Sequence, residues 1–155
     1  MENNFNYSVF EYLYRDASNW KSWGKLLLTG SFTSAEYAHM EAKLDIGQFF
    51  IPEQIGIPPL FRKPNESSFE PTSDDHVWHE YIALRPATIE EIQSGSRWGT
   101  TQTLLDRISA VARWDITQSQ AYKAIYINFA REQANLRRSG RDETWNFVLQ
   151  RTTKL

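Results

Sequence analysis

Alternating apolar and polar positions mark strands in the first half of the chain. The segments YSVFEYLY (7–14) and KLLLT (25–29) are rich in strand-forming residues, and turn-forming residues occupy 15–19 between them. This pattern predicts an antiparallel hairpin with a loop longer than the minimum. FFI (49–51) and VWHEYIALR (77–85) predict two further strands, the second closed by Pro86.

Helix start signals recur at three positions. Thr33, Thr88 and Thr117 are each followed three residues later by Glu or Gln, which is the capping-box spacing. We expect a helix over about 34–44, a short helix after Thr88 that Gly95 and Gly99 end, and a long helix from Thr117 to about Leu136. An apolar stripe at helical spacing predicts another helix over 103–113.

These elements favour an α+β fold: a small antiparallel sheet with one packed helix, wrapped by the proline-rich segment 52–71, and a C-terminal helical extension. The predicted organisation is an α+β domain over 1–98, followed by a basic helical segment over 99–155 that packs on the domain or on a partner. Charge supports the division. Residues 1–98 carry 8 Lys/Arg against 14 Asp/Glu, whereas residues 99–155 carry 9 against 5.

Composition narrows the function classes. Hydrophobic residues make up 41% of the 155 and aromatic residues 14%, enough for a packed core. The absence of Cys excludes disulfides, thiolate zinc sites and a thiol nucleophile. The start MENNFNYSVF lacks a signal-peptide pattern, and no apolar run approaches the ~20 residues that span a bilayer. We expect a soluble, cytoplasmic protein without a membrane partner.

The segment SDDHVWHEY (73–81) concentrates polar side chains. One interpretation is metal-assisted hydrolysis, with Asp75, His76, His79 and Glu80 as catalytic candidates and Asp74, His76 and His79 as metal ligands. Side chains alternate along a strand, however, so His79 should lie with Val77 and Tyr81 on the face opposite Trp78 and Glu80. The favoured alternative is that the aspartates turn the backbone into the strand while the histidines form hydrogen bonds at a half-buried edge.

The loop YRDASNWK (14–21) is the other dense polar segment. A cation beside an aromatic ring can grip a phosphate or a base, so the binding candidates here are Arg15, Asp16, Asn19, Trp20 and Lys21. A loop that satisfies its own amides, with the arginine paired locally, is the alternative. Arg62 and Lys63 form a weaker patch of the same kind.

The positive charge of the last third lies mostly on the long helix. Its binding candidates are Arg131, Arg137, Arg138 and, just beyond it, Arg141. Helices over 103–113 and 117–138 would superficially suit a helix-turn-helix, but the second is apolar enough to be core. The sequence has no GxGxxG, GxxxxGK[ST] or GxSxG motif.

Three ordered motifs resemble a group of small uncharacterised bacterial and mobile-element proteins. The motifs are YRDASNWK (14–21), FFIPEQIGIP (49–58) and DDHVWHE (74–80), within residues 10–85. The resemblance implies a shared α+β domain and a phage or mobile-element setting, and it carries no catalytic role.

The function predicted from these observations is stoichiometric binding of a protein partner by a regulatory factor, without a cofactor. Metal-dependent hydrolysis by the DDHVWHE segment is one alternative. Binding of nucleic acid or a nucleotide through the basic C-terminal helices is another, and a homo-oligomer stays open.

Overall fold

The computed structural model describes residues 6–61 and 71–139. It contains five strands, β1 (Tyr7–Arg15), β2 (Lys21–Thr29), β3 (Phe49–Phe50), β4 (His79–Pro86) and β5 (Arg97–Thr100). Its α-helices are α1 (Ser34–Lys43), α2 (Ile89–Ser94), α3 (Thr101–Ser109) and α4 (Tyr122–Arg138), and 3-10 turns span Pro52–Ile55 and Ile116–Gln118. The predicted α+β class is confirmed.

The strands form one sheet in the order β3-β4-β1-β2-β5. β1 and β2 pair antiparallel from Tyr7 opposite Thr29 to Arg15 opposite Lys21, which confirms the predicted hairpin. β5 lies parallel to β2, so the sheet is mixed and not purely antiparallel. The expectation that Gly99 ends a helix was wrong, because Gly99 lies in β5.

The core fills the space between one face of the sheet and helices α1 and α3. Phe10 and Tyr12 of β1 are buried with Met40 of α1. Residues on both sides of the expected boundary at 98/99 enter this core, since Leu104 and Ile108 of α3 are fully buried within the same cluster. Two helices therefore pack on the sheet face where one was expected, and α3 is an integral part of the core.

The other face of the sheet is partly covered by α2. Gly95, at the end of α2, lies against the side chain of Leu27. Arg85 of β4 donates to Glu11 of β1 at 2.7 Å and to Glu91 of α2 at 2.6 Å. These contacts join α2 to β2 and β4 directly, and to β1 through Arg85.

The capping boxes at Thr33 and Thr88 are confirmed, with both reciprocal hydrogen bonds present in each. The box expected at Thr117 was wrong. The amide and hydroxyl of Thr117 both donate to Asp115, which caps the short 3-10 turn, and the amide of Gln120 donates to Glu53 at 2.6 Å. α4 consequently begins at Tyr122.

The described part of the proline-rich segment is irregular, as expected. Pro52 opens a 3-10 turn that ends at Gly56, whose φ of 69° suits glycine. A side chain at Gly56 would also collide with the guanidinium of Arg107. Tyr12 donates to the carbonyl of Pro58 at 2.7 Å, which fastens the segment to the sheet. In the described residues, no helix is long and apolar enough to cross a membrane.

Candidate partner-binding groove

His79 is a fully buried ring within the core. Its Nε2 accepts from the Leu60 amide at 2.9 Å, and its Nδ1 donates to the Val77 carbonyl at 3.2 Å. Burial lowers the pKa of His79 to about 3, so the ring is neutral near pH 7. The predicted hydrogen bonds are present, although His79 lies deeper than a half-buried edge.

His76 holds the backbone at the entrance to β4. Its Nε2 donates to the carbonyl of Arg15 at 2.7 Å, and its Nδ1 accepts from the amide of Trp78 at 3.1 Å. Burial lowers the pKa of His76 below its ordinary value, which favours the neutral ring that this pairing requires. His76 therefore holds the backbone of Trp78 at the entrance to β4.

Asp75 and Tyr14 complete the same junction. The Tyr14 hydroxyl donates to Asp75 and accepts from the amide of His76 at 3.3 Å. The second oxygen of Asp75 accepts from the amide of Thr72 at 2.8 Å, so Asp75 shapes the turn before the strand, as predicted. Burial is the main cause that raises the pKa of Tyr14, which keeps the phenol protonated and able to donate.

The strand faces follow the predicted alternation, although β4 begins at His79 and not at Val77. Val77, His79 and Tyr81 are buried, whereas Trp78 and Glu80 are partly exposed on the opposite side. In the described ranges, no group of three or more His, Asp or Glu side chains could hold a metal ion. Each ring nitrogen of His76 and His79 is engaged with a backbone group.

The loop at 15–21 is organised by its own side chains. Buried Asp16 accepts from the Trp20 amide at 2.9 Å and from Ser18 at 2.8 Å. Arg15 donates to Asn19 at 3.0 Å and to Glu80 at 3.3 Å. These contacts match the alternative in which the loop satisfies its own groups, and they link the first and third sequence motifs through Arg15 and Glu80.

An open groove of about 940 Å³ lies beside the junction between β1 and β4. The groove is formed by the end of α1, strand β3, the entrance to β4 and the segment after α3. Its apolar lining comes from Leu44, Ile46, Phe49, Trp78 and Trp114. The indole of Trp114 is fixed by a 2.9 Å hydrogen bond from Nε1 to the Lys43 carbonyl. The Trp114 wall of the groove is thus held in place by a backbone contact.

Ile46 stands at the tip of the turn between α1 and β3. Its side chain is 81% exposed, and its φ is +46°. Gly47 follows with φ of +72°, and the amide of Gln48 donates to the Asp45 carbonyl at 3.0 Å, as in the tight turns that favour Asn-Gly. A β-branched residue with positive φ is a genuine outlier. Isoleucine at position 46 therefore lowers the stability of the fold through its strained backbone, and it leaves its apolar side chain exposed to solvent.

Basic and acidic side chains surround the groove. Lys43, Asp45 and Arg113 line it together with His76. Lys43 is held by a 2.7 Å hydrogen bond to the Val111 carbonyl, while Arg113 is exposed. A more polar depression of about 740 Å³, which includes Arg107 and Asp115, adjoins the groove at Arg113.

Gln54 supports the wall that carries Trp114. Its Nε2 donates to the Arg113 carbonyl at 3.1 Å, and its Oε1 accepts from the Asp115 amide at 2.8 Å. Because these bonds lie on both sides of Trp114, the second motif contributes to the groove through Gln54 as well as through Phe49.

The remaining candidate binding residues lie elsewhere. Lys21 is exposed at the start of β2, and Arg131, Arg137 and Arg138 are exposed on α4. Residues 110–121 separate α3 from α4, and α3 contributes to the core, so this pair lacks the short turn of a helix-turn-helix. Arg62, Lys63 and Arg141 lie outside the described residues.

The sequence interpretation missed Ile46, Trp114 and Arg113 as possible site residues. The only local signal was Asp45-Ile46-Gly47, a turn-like triplet with an aliphatic residue where Asn is favoured. Trp114 gave no such signal, since its place beside Phe49 and Trp78 depends on the packing of α3.

Comparisons of the chain with protein-family models, with curated proteins and with solved structures gave no match. The resemblance carried by the three motifs therefore stays a prediction.

Proposed function

We propose that this protein is a non-catalytic binding protein that regulates a partner polypeptide stoichiometrically through the groove beside Ile46. The observation that carries the proposal is the strained, exposed Ile46 at the edge of an aromatic groove. Strained backbone conformations cluster at ligand clamps and switch regions, where they are part of the mechanism.

The groove has the composition of an interface centre. Trp, Tyr and Arg dominate binding hot spots, and Trp78, Trp114 and Arg113 all line the groove. Fixed aromatic rings lose little conformational freedom on binding. The Trp114 ring is held by its hydrogen bond to the Lys43 carbonyl, and the backbone of Trp78 is held by its hydrogen bond to His76. A partner segment with an apolar side chain would fill the space between the indoles, and an acidic neighbour would pair with Arg113.

Ile46→Asn tests the proposal because it separates stability from binding. Asn tolerates positive φ, so the variant should be about 1 kcal/mol more stable than the parent, a rise of about 4 °C in the melting temperature. It should also lose at least about 2 kcal/mol of partner affinity, the hot-spot threshold. The measurements are thermal unfolding, and native mass spectrometry of complexes captured from the host at moderate salt.

The matched control is Ile89→Asn, which removes an isoleucine that is 73% exposed on α2. The proposal that the groove binds the partner is supported if the parent and Ile89→Asn bind one polypeptide at a fixed ratio and Ile46→Asn does not bind it. Equal binding by both variants, or a salt-sensitive nucleic-acid complex that depends on the α4 arginines, would contradict it.

A further inference from the structure

The outer edge of β2 offers a second interaction surface. At the two ends of the β1/β2 ladder the amide of Asp16 donates to Trp20 at 3.0 Å, and the amide of Gly30 donates to Asn6 at 2.6 Å. Opposed residues of an antiparallel pair alternate between bonded and non-bonded pairs. Even-numbered residues of β2 therefore bond to β1, and odd-numbered residues direct their N–H and C=O groups to the other edge.

Only part of that edge is used by β5. β5 pairs alongside Leu27 to Thr29, which leaves the odd-numbered residues Lys21, Trp23 and Lys25. Within residues 6–61 and 71–139, these three have no backbone hydrogen bond on that side. The open edge thus runs from Lys21 to Leu26 and stops where β5 begins, which leaves room for a strand of about five residues.

The side chains on this edge indicate the charge and polarity of the segment that it would bind. Trp23 is 61% exposed on the outer sheet face, flanked by Lys21 and Lys25. Lys25 already lies 3.2 Å from Glu91 and 3.7 Å from Glu11, whereas Lys21 has no salt bridge within the described segments. Among the described residues, Lys21 is therefore the positive charge on this edge that an acidic residue of a bound strand can pair with.

Electrostatics disfavours a second copy as the occupant. Two β2 edges paired antiparallel about Trp23 would place Lys21 of one copy opposite Lys25 of the other, twice. Like charges directly opposite each other in a sheet are destabilising, and edge lysines are a usual protection against self-pairing. The same lysines favour an acidic strand.

We propose that the edge from Lys21 to Leu26 binds an extended acidic polypeptide segment, which adds a strand antiparallel to β2. Main-chain hydrogen bonds at residues 21, 23 and 25 supply affinity, and alternate side chains supply specificity. In this register an apolar residue lies against Trp23, and the residue two positions later is Asp or Glu opposite Lys21. This surface is independent of the groove at Ile46.

The test uses an acetylated, amidated peptide of about seven residues that alternates threonine and valine, with a central valine and glutamate two positions later. NMR titration of the full chain should shift and protect the amides of Lys21, Trp23 and Lys25. A peptide with N-methylated valines should produce neither effect, because it cannot donate to the edge.

Charge exchange supplies the specificity test. The parent should prefer the glutamate peptide to its lysine counterpart by about two- to five-fold, and Lys21→Glu should reverse that preference. The matched control, Lys123→Glu on α4, should keep it. Ile46→Asn should leave it unchanged, so failure here is distinguishable from failure of the groove.

Three results would overturn the inference. One is a set of amide shifts confined to the groove or to α4. Another is equal binding of the N-methylated peptide. The third is a dimer of the parent chain in sedimentation velocity that the unmethylated glutamate peptide does not dissociate. That result would make a second copy of the chain the occupant of the edge.

Discussion

Individual side chains in the DDHVWHE motif stabilise the junction between β1 and β4. His79 is the clearest example, since both ring nitrogens contact backbone groups in a fully buried site. Leu60 must donate to Nε2, so the ring serves as acceptor there and has to be neutral. His79 therefore has a structural role, in which its neutral ring fills the core and makes two hydrogen bonds to the backbone.

Stability should fall with acid because of this residue. Burial lowers the pKa of His79 to about 3 in the folded chain, against about 6.5 when unfolded. The stabilisation is complete above pH 6.5 and is lost as the pH falls toward 3, since only the unfolded state then binds the proton. The slope is about 1.4 kcal/mol for each pH unit.

His79→Gln checks this prediction. Glutamine can still accept from Leu60 but does not titrate, so urea unfolding between pH 5 and 6.5 should show a slope smaller by about one proton. The matched control is His39→Gln, which removes an exposed histidine on α1. A variant with the parental slope would show that His79 protonates while folded.

At the scale of elements, the sequence predicted the helix ends that depend on contacts between residues close in the chain. Thr33 and Thr88 each find their partner three residues away, so their capping boxes were visible in the sequence. Thr117 has the same spacing, but Glu53, distant in the chain, binds the Gln120 amide. β5 was missed for a similar reason, because its parallel partner β2 is distant in sequence.

Gln54 provides the test of such a distant contact. Gln54→Ala removes hydrogen bonds on both sides of Trp114 and should destabilise the 113–115 segment by about 1 to 2 kcal/mol. Hydrogen exchange at the Asp115 amide should therefore accelerate roughly five- to thirty-fold.

Gln93→Ala, which alters an exposed glutamine on α2, is the matched control for that measurement. Unchanged exchange at Asp115 in Gln54→Ala would mean that other contacts hold the wall of the groove.

Across the whole molecule, the hydrophobic core joins segments that charge and composition separate. The sign of the net charge changes near residue 98, yet Leu104, Leu105 and Ile108 pack with Phe10 and Met40. Charge reports on surfaces, whereas burial decides which segments fold together. The groove was not predictable for the same reason, since its walls come from three segments that only packing assembles.

A truncated chain tests the unity of this core. A chain that ends at residue 98 lacks α3 and with it the buried side chains of Leu104 and Ile108, so the sheet face beneath them is exposed. The loss of each large buried side chain lowers the free energy of unfolding by about 2 to 5 kcal/mol. We expect no cooperative thermal transition by circular dichroism. A chain that ends at residue 115 retains α3 and should keep a cooperative transition at a lower temperature.

A cooperative transition and strand-type spectrum in the chain that ends at residue 98 would contradict this expectation. That result would make the first 98 residues an autonomous folding unit.

The groove at Ile46 exists only when α1, β4 and the segment after α3 are assembled, so a polypeptide that fills it recognises the folded state alone. Binding and folding are then linked: a partner at 100 times its dissociation constant would add about 2.7 kcal/mol to the free energy of unfolding. In a cell, the steady-state amount of this protein would then follow the supply of the proposed partner, because the less stable unbound chain would be degraded faster.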